Sequence, residues 1–209
     1  MRFIVITPSK NVDNEYGLVN YMLKNGLPTL HVRKPSFSKE ELINYIEHFP
    51  EEQQNKMVLH SHHDILLDYD LKGLHMSRRH RRKHFKSWLT QTKIEMRMNK
   101  KLVISSSSKS LSSMADNYKT YDYVMLTPVF TDPQGHRPSF SPLLLQQVLR
   151  SFPGKIVARG GADADSIEKA RELGFSGIAF HNFFWGQEDP QKEFDKVMDR
   201  FQKLGITFQ

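Results

Sequence analysis

The stretch "KIVARGGADADSIEKARELGFSGIAF", Lys155 to Phe180, contains the repeating unit that decides the fold. An apolar run (IVA) leads into Gly160 and Gly161, a segment with helical spacing follows, and Gly174 precedes a second apolar run (GIAF). Glycine directly after a helical pattern is typical of a helix C-terminus. The stretch therefore predicts a strand, a helix and a second strand, the unit from which parallel sheets are built.

Short apolar runs of this kind recur along the chain. The runs predict strands at Phe3–Ile6, Thr29–Val32, Met57–His60, Gly73–His75, Leu102–Ser105, Tyr123–Leu126, Ile156–Ala158 and Gly177–Phe180. Eight strands alternating with helices predict a closed (β/α)₈ TIM barrel, an α/β fold, as one domain over residues 1–209. A doubly wound open sheet is the alternative. It is disfavoured because no G-x-G-x-x-G follows the first run and no G-x-x-x-x-G-K-[ST] occurs.

Helix signals lie between the apolar runs. Ser38 and Glu41 stand in capping-box register, and Asp165 and Glu168 stand in a similar relation before the helix that Gly174 ends. The segments "SPLLLQQVLRSFPG" and "DPQKEFDKVMDRFQKL" have the spacing of amphipathic helices. These signals predict helix N-termini at Ser38 and Asp165.

The composition excludes several classes of protein. Cysteine is absent, which excludes disulfides and thiolate zinc sites and is compatible with a reducing compartment. No apolar run approaches the roughly 20 residues that a membrane-spanning helix needs, and the N-terminus lacks the apolar region of a signal peptide. We therefore expect a cytoplasmic protein without a membrane partner.

The chain is basic, with a formal net charge of +7. Much of that charge lies in "SRRHRRKHFK", Ser77 to Lys86. This segment is interpreted as a solvated basic helix start, as a means of attracting a small anionic substrate, or as a nucleic-acid patch. The last interpretation is disfavoured, because no helix-turn-helix, zinc-finger or RNA-recognition pattern accompanies the segment.

A barrel gathers its functional side chains at the C-terminal ends of its strands. The predicted ends carry Thr7, His31, Arg33, His60, Ser61, His62, His63, His75, Ser105–Ser108, Thr127, Thr131, Arg159, Gly160, Gly161, His181 and Asn182. The set is rich in hydrogen-bond donors, and only Asp64 and Asp132 supply carboxylates near it. This composition predicts an anionic ligand. The two glycines either expose backbone amides to a phosphate or form a tight turn that binds nothing.

Four of these histidines raise the question of a metal. His60, His62, His63 and His75 could converge, but residues two apart after a strand point to alternate sides, and neither Cys nor Glu completes a ligand set. We therefore predict no metal ligand among them. A Ser/His/Asp triad is also disfavoured, because the chain has no G-x-S-x-G elbow.

Six short motifs, in order, carry a resemblance to a known family. They are "FIVITPSK" (Phe3–Lys10), "HVRKP" (His31–Pro35), "GLHMS" (Gly73–Ser77), "TPVFTD" (Thr127–Asp132), "ARGGA" (Ala158–Ala162) and "GIAFHNFF" (Gly177–Phe184). With them the chain resembles the thiamine phosphate synthase and TenI-like superfamily over nearly its whole length. The resemblance implies a TIM barrel in thiamine biosynthesis that couples a hydroxymethylpyrimidine diphosphate to a thiazole phosphate with loss of pyrophosphate.

The resemblance also implies roles for individual residues. Gly160 and Gly161, with the amides of His181 and Asn182, would hold the thiazole phosphate, and Arg33 and His31 would face the diphosphate. Further substrate contacts are expected from His60, Ser61, His75, Ser106, Thr127 and Thr131. The partners implied are these two phosphorylated small molecules rather than nucleic acid, and a homodimer is left open.

The sequence departs from the family where the family binds Mg²⁺. The carboxylate expected after the third strand aligns with His60 and Ser61, and the second falls at Arg78 and Arg79. Histidine and serine are poor Mg²⁺ ligands compared with a carboxylate. Mg²⁺ is therefore implied by the resemblance but lacks its carboxylates, and one hypothesis is that arginines replace the ion.

Two alternatives to a synthase remain open. The TenI-like branch includes thiazole tautomerases, whose catalytic histidine precedes a V-F pair where this chain has Pro128. His136 is the nearest replacement in that loop, and His31 and His181 follow as candidates for the acid–base group. The other alternative is a non-catalytic barrel that binds a phosphorylated ligand.

Overall fold

The computed structural model describes residues 1–77, 89, 92–97, 101–117, 120–131, 135 and 139–209. Eight parallel strands close into a barrel in the order of the chain. The strands are β1 (Arg2–Ile6), β2 (Leu30–Val32), β3 (Met57–Leu59), β4 (Gly73–Met76), β5 (Val103–Ser108), β6 (Tyr123–Leu126), β7 (Ile156–Arg159) and β8 (Gly177–Phe180). The predicted (β/α)₈ barrel is confirmed.

Seven of the eight strands begin and end within one residue of the prediction, and β5 is the exception. The predicted strand ends at Ser105, whereas in the structure Ser106, Ser107 and Ser108 continue to pair with β6. The prediction stopped early because the apolar run ends there. In a closed barrel, a strand continues where its neighbours offer backbone hydrogen bonds, even when its side chains are polar.

Helices cover the outside of the barrel. They span Glu15–Lys24, Lys39–Glu47, Glu51–Gln54, Leu111–Asn117, Pro142–Ser151, Ser166–Leu173 and Pro190–Lys203, with a 3-10 helix at His63–Leu67 and helical backbone at residues 92–97. The capping box at Ser38 is confirmed, since Ser38 Oγ accepts from the Glu41 amide and Glu41 accepts from the Ser38 amide. Gly174 ends its helix with φ +93°, as predicted.

The predicted helix N-terminus at Asp165 is confirmed, since Asp165 is the N-cap residue, but its side chain makes no capping bond. Asp163 caps this helix instead: its Oδ1 accepts from the Ser166 amide at 2.8 Å and from the Ser166 hydroxyl at 2.6 Å. Ser166 Oγ in turn accepts from the Asp163 amide at 3.2 Å. The motif D-A-D-S (163–166) contains two acidic residues. The turn after β7 places the first of them, Asp163, within hydrogen-bond distance of the Ser166 amide.

The barrel interior is apolar on one side and polar on the other. Buried Ile4, Ile6, Met125, Val157 and Ala179 fill the side formed by β1 and β6–β8. The opposite side contains the buried polar residues His31, His75 and Ser105, from β2, β4 and β5. Barrel interiors are usually packed with branched apolar residues. The polar half therefore marks where the molecule departs from a purely structural core.

A second apolar layer lies between the strands and the helices. There Phe3 packs edge-on against Phe180 and close to Phe194 and Phe201 of the last helix. None of the helices in the described ranges has both the length and the apolar character needed to cross a lipid bilayer.

Candidate functional site

A cavity of about 750 Å³ opens at the C-terminal ends of β6, β7 and β8. Its wall is formed by Thr127, Pro128, Phe130, Thr131, Arg159, Gly160, Gly161, Ala162, Asp163, His181, Asn182, Phe183, Gly186 and Gln187. Six of the predicted substrate contacts are brought together here: Thr127, Thr131, Gly160, Gly161, His181 and Asn182. This is the end of a barrel at which ligands bind.

The glycine turn after β7 is held against the loop after β6. Gly160 and Gly161 have φ of +90° and +68°, and a Cβ at Gly161 would lie 2.5 Å from the Phe130 carbonyl oxygen. The Phe130 amide donates to the Gly160 carbonyl at 3.0 Å, which fixes the two loops together. The amides of both glycines donate to no other described residue. The turn therefore serves close packing and leaves two N–H groups for a ligand.

Arg159, the last residue of β7, brings a positive charge into the cavity wall. Burial, and then the charge of Arg33, lower the pKa of the Arg159 guanidinium to about 10. Within the described ranges no carboxylate forms an ion pair with either arginine. Two guanidiniums that repel each other and lack a paired carboxylate would be stabilised by an anion placed beside them.

His181 lies in the same wall, and its Nε2 is buried without a hydrogen-bond partner. Burial, followed by the charges of Arg159 and Arg33, lowers the pKa of His181 to about 4. Asp163 also faces the cavity, but its Oδ1 is occupied by Ser166. A buried imidazole nitrogen without a partner is costly unless a ligand completes its hydrogen bond.

Three other predicted residues meet on the polar side of the barrel interior. His31 Nδ1 lies 3.0 Å from His60 Nε2, and His31 Nε2 lies 2.6 Å from the Tyr123 hydroxyl. The His60 and His75 rings stack at 4.2 Å between centroids, 18° from parallel. Burial, and then neighbouring positive groups, lower the pKa of His31 and of His60 well below the ordinary value, so both imidazoles are neutral.

The histidines that meet in the structure are His31, His60 and His75. The sequence analysis had instead considered His60, His62, His63 and His75 together. His31 replaces His62 and His63, because His62 adopts φ +49° and its Nε2 contacts the Phe37 carbonyl at 3.0 Å. One nitrogen each from His31, His60 and His75 lies within 4.8 Å of the others, a spacing at which imidazoles can share a metal ion. The stacked rings count against it, since a metal must lie in the plane of every ring that binds it.

The remaining predicted residues lie in different places. The Arg33 amide donates to Thr7 Oγ1 at 2.8 Å, and its guanidinium donates to the Ser9 hydroxyl. The Ser61 hydroxyl is buried without a partner. Ser106 faces away from the barrel interior, and its hydroxyl donates to the Met76 carbonyl at 3.3 Å. His136 and the basic segment at residues 78–86 lie outside the described residues.

Sequence reasoning noted Arg159 at a strand end but gave it no role, and it did not single out Tyr123. Both could have been found from alternation along a strand. Val157 faces the barrel interior, so the residue two positions later points the same way, toward the mouth. Tyr123 faces the interior together with Met125 by the same rule.

A family model described as "Thiamine monophosphate synthase" matches residues 3–183 of the chain. The match includes all eight strands, β1 from its second residue, and the whole described cavity wall except Gly186 and Gln187. A search of curated protein sequences gave no match.

Solved structures share the fold at low sequence identity. The thiamine phosphate pyrophosphorylase from Bacteroides thetaiotaomicron has a TM-score of 0.78 at 19% identity, covering 97% of this chain and 98% of that one. The thiamine phosphate pyrophosphorylase from Pyrococcus furiosus has a TM-score of 0.73 at 19% identity, covering 97% and 96%. A 3-hexulose-6-phosphate synthase from Salmonella typhimurium has a TM-score of 0.69 at 13% identity, covering 97% and 99%.

Proposed function

This chain belongs to the thiamine monophosphate synthase family, and on that basis we propose that it couples a hydroxymethylpyrimidine diphosphate to a thiazole phosphate. The observation that carries the proposal is a pair of unsatisfied groups in the cavity wall. The Arg159 guanidinium forms no ion pair within the described ranges, and the buried His181 Nε2 has no hydrogen-bond partner. Such a wall suits a ligand with several negative charges.

The thiazole phosphate is assigned to the glycine turn. The amides of Gly160 and Gly161 lie beside Arg159 and His181, so phosphate oxygens placed there would accept from backbone and side-chain donors together. A phosphate also supplies the acceptor that His181 Nε2 lacks, provided that this nitrogen carries the proton. The phosphate thereby fixes the thiazole ring over the barrel mouth.

The diphosphate is assigned to Arg33, which lies close enough to lower the pKa of both Arg159 and His181. In the coupling, the bond between the pyrimidine methylene carbon and the diphosphate oxygen breaks, and its electron pair leaves with pyrophosphate. The thiazole nitrogen lone pair then forms the new C–N bond. Positive groups placed where the leaving group gains charge lower the barrier to this step.

The described residues do not fit the Mg²⁺ that the family implies. At the expected position stand His60, whose Nε2 contacts His31, and Ser61, which offers one hydroxyl. Asp64 is exposed and forms an ion pair with Lys39 at 2.6 Å. Mg²⁺ prefers carboxylate and water oxygens in an octahedron, which these groups do not supply. Arg33 and Arg159 are therefore assigned the charge neutralisation, without a step through the ion.

A proton shift on a thiazole carboxylate phosphate tautomer is the second candidate function. It is favoured by His60, a half-buried and neutral imidazole whose Nδ1 has no hydrogen-bond partner within the described residues. Such a nitrogen can take a proton from a ligand at neutral pH. The loop position before Val129 carries Pro128 rather than a histidine. The acid–base role in the proton shift is therefore assigned to His60, at the end of β3.

One assay tests both functions. The full-length protein is incubated with pyrimidine diphosphate and thiazole phosphate, and separately with the thiazole carboxylate phosphate tautomer. Thiamine phosphate is detected by oxidation to thiochrome, and the thiazole products are separated by chromatography. The proposal predicts thiamine phosphate and an equal amount of pyrophosphate. Aromatised thiazole without thiamine phosphate would contradict the coupling in favour of the tautomerase.

Formation of neither product would contradict both enzymatic functions. A thermal shift with thiazole phosphate, run in parallel, then distinguishes the remaining cases. A raised melting temperature without turnover would identify a barrel that binds thiazole phosphate but does not react with it. An unchanged melting temperature would contradict binding of thiazole phosphate as well.

A further inference from the structure

The loop between β1 and the first helix, residues 8–13, is held by two consecutive residues that follow β2. The Arg33 guanidinium donates to the Ser9 hydroxyl. Lys34 Nζ donates to Asn11 Oδ1 at 3.2 Å. Among the groups that the structure describes, none accepts a hydrogen bond from a backbone amide of this loop. The loop therefore depends on these two basic side chains for its polar contacts with the rest of the barrel.

Lys34 makes these contacts from a fully buried position. Its side chain is 0% exposed, and it forms an ion pair with Glu15 Oε2 at 2.6 Å, where Glu15 is 3% exposed. Lys34 Nζ also lies 3.4 Å from the Lys10 carbonyl oxygen, and the Tyr45 hydroxyl donates to Glu15 Oε1 at 2.9 Å. An ammonium has three N–H donors, and here Glu15, Asn11 and Lys10 accept from all three.

Stability alone does not explain a buried ion pair at this place. Two charges must leave water, so apolar side chains of similar volume are often as stable as the pair they replace. The surroundings are aromatic, with the Phe37 and Tyr45 rings each centred 5.6 Å from Lys34 Nζ. An apolar side chain would suit them, but it could not donate to the loop. The contacts with Lys10 and Asn11 are therefore what the ammonium adds.

The loop in turn directs Arg33. Ser9 accepts from the guanidinium, which lies close enough to the ends of β7 and β8 to lower the pKa of Arg159 and of His181. A long arginine side chain without such a contact adopts many rotamers. The place of the guanidinium near the cavity wall thus depends on where the loop puts Ser9.

We propose that Lys34 is a positioning residue, which holds the loop 8–13 in place so that Ser9 directs the Arg33 guanidinium toward the cavity. Glu15 supplies the buried counter-charge, and Tyr45 completes the hydrogen bonds of Glu15. For the anion that Arg33 meets, the inference rests on the proposed function. Because its side chain is fully buried, Lys34 acts on a ligand only through Arg33.

The first test separates stability from position. Lys34→Met leaves the Glu15 carboxylate buried without its counter-charge, so we expect the melting temperature to fall by at least about 5 °C. The apolar variant, Lys34→Met/Glu15→Met/Tyr45→Phe, removes both charges and the hydroxyl together and should recover most of that loss. Lys196→Met removes the same charge from an exposed ion pair with Glu193 and is the control variant, expected to melt like the wild type. An apolar variant that melts as low as Lys34→Met would contradict the proposal, because the packing itself would then require the ion pair.

The second test measures the position of Arg33 without a ligand. His181 reports it, because the charge of Arg33 contributes, after burial and Arg159, to the lowered pKa of this imidazole. NMR follows the His181 ring signal of the full-length protein from pH 8 to pH 5, with His181→Asn identifying the signal. The apolar variant is compared with Ser9→Ala and with Asn11→Ala, which keeps the ion pair and removes one loop contact.

In all three variants we expect the pKa of His181 to rise toward 6.5, since the guanidinium moves away, and in the control variant to keep its wild-type value. A wild-type pKa of His181 in the apolar variant would overturn the positioning role. If that variant does not fold, Asn11→Ala decides by the same criterion. The titration needs no ligand, so it tests the inference whether or not the proposed coupling is found.

The third test measures binding of pyrophosphate by calorimetric titration in buffer without divalent ions. We expect the apolar variant to bind at least about tenfold more weakly than the wild type, although its stability is restored, and the control variant to bind as the wild type does. Wild-type affinity in the apolar variant would overturn the proposal, because a purely structural ion pair predicts that affinity returns with stability. Failure of the wild type to bind pyrophosphate would contradict the diphosphate site of the proposed function, and the His181 titration would still decide the role of Lys34.

Discussion

Gly161 shows how a single residue fixes the candidate phosphate turn. Its φ of +68° is unfavourable for any residue with a Cβ, and that Cβ would lie 2.5 Å from the Phe130 carbonyl oxygen. We predict that Gly161→Ala lowers the free energy of unfolding by about 1–3 kcal/mol. Urea denaturation measures the change, with Gly186→Ala as control, because a Cβ at Gly186 meets nothing within 4 Å. Equal stability of the two variants would contradict the packing role.

We predict that the Arg159 side chain lowers the melting temperature of the ligand-free protein and increases its affinity for thiazole phosphate. Its charge is partly buried, is repelled by Arg33 and is not paired with any carboxylate in the described ranges. Arg159→Met should therefore stabilise the ligand-free protein and weaken binding of thiazole phosphate about tenfold to a hundredfold. Calorimetric titration measures the binding, and thermal melting measures the stability.

Arg150→Met is the control for this change, because Arg150 lies exposed on the helix Pro142–Ser151. It should alter neither quantity. Undiminished binding by Arg159→Met would contradict the assignment of the phosphate to this wall. A less stable ligand-free protein would show instead that Arg159 is part of the packing.

His181 links stability to pH. Its pKa is lowered from 6.5 to about 4 in the folded protein, so between these values the unfolded chain binds more protons. The free energy of unfolding therefore falls as the pH is lowered from 6.5 to 4. We predict that His181→Asn makes this fall shallower, measured by urea denaturation at pH 7, 6 and 5.

Two controls accompany the pH experiment. His48→Asn alters an exposed histidine and should leave the slope as in the wild type. Thiazole phosphate should reduce the wild-type slope, since an anion beside His181 favours its protonated form. A His181→Asn slope parallel to that of the wild type would contradict the buried, neutral state of this imidazole.

Among the secondary-structure elements, the helix Ser166–Leu173 has two aspartates, Asp163 and Asp165, before its first residue, and only one of them caps it with its side chain. Asp163 exchanges hydrogen bonds with Ser166, whereas Asp165 makes no side-chain capping bond. We predict that Asp163→Ala lowers the free energy of unfolding by about 0.5–2 kcal/mol and that Asp165→Ala changes it by less. Urea denaturation of the two variants makes the comparison. A larger loss in Asp165→Ala would contradict the observed cap.

The elements were predictable where burial alone decides them. Strands such as Tyr123–Leu126 and Gly177–Phe180 are buried on both faces, so they read as continuous apolar runs and were predicted with the observed ends. β5 was predicted three residues short because its last four residues are serines. The choice between Asp163 and Asp165 was not predictable from spacing, since it depends on how the glycine turn orients the chain.

For the whole molecule, closure of the barrel assembles the site from residues far apart in the sequence. The glycine turn, His181 and Asn182 were predicted together, because strand order places β7 beside β8. The meeting of His31 with Tyr123 was not predicted, because contacts across the interior depend on stagger and side-chain direction. The position of Arg159 in the cavity wall was missed, although the alternation of side chains along β7 indicates it.

The central claim is that arginines, not Mg²⁺, neutralise the diphosphate at this barrel mouth. The most direct test is the initial rate of thiamine phosphate formation by the full-length protein, before and after removal of divalent ions with a chelator. The account predicts the same rate in both conditions, and a rate lowered at least tenfold in Arg33→Met. A rate that collapses with chelator and returns with Mg²⁺ would contradict it.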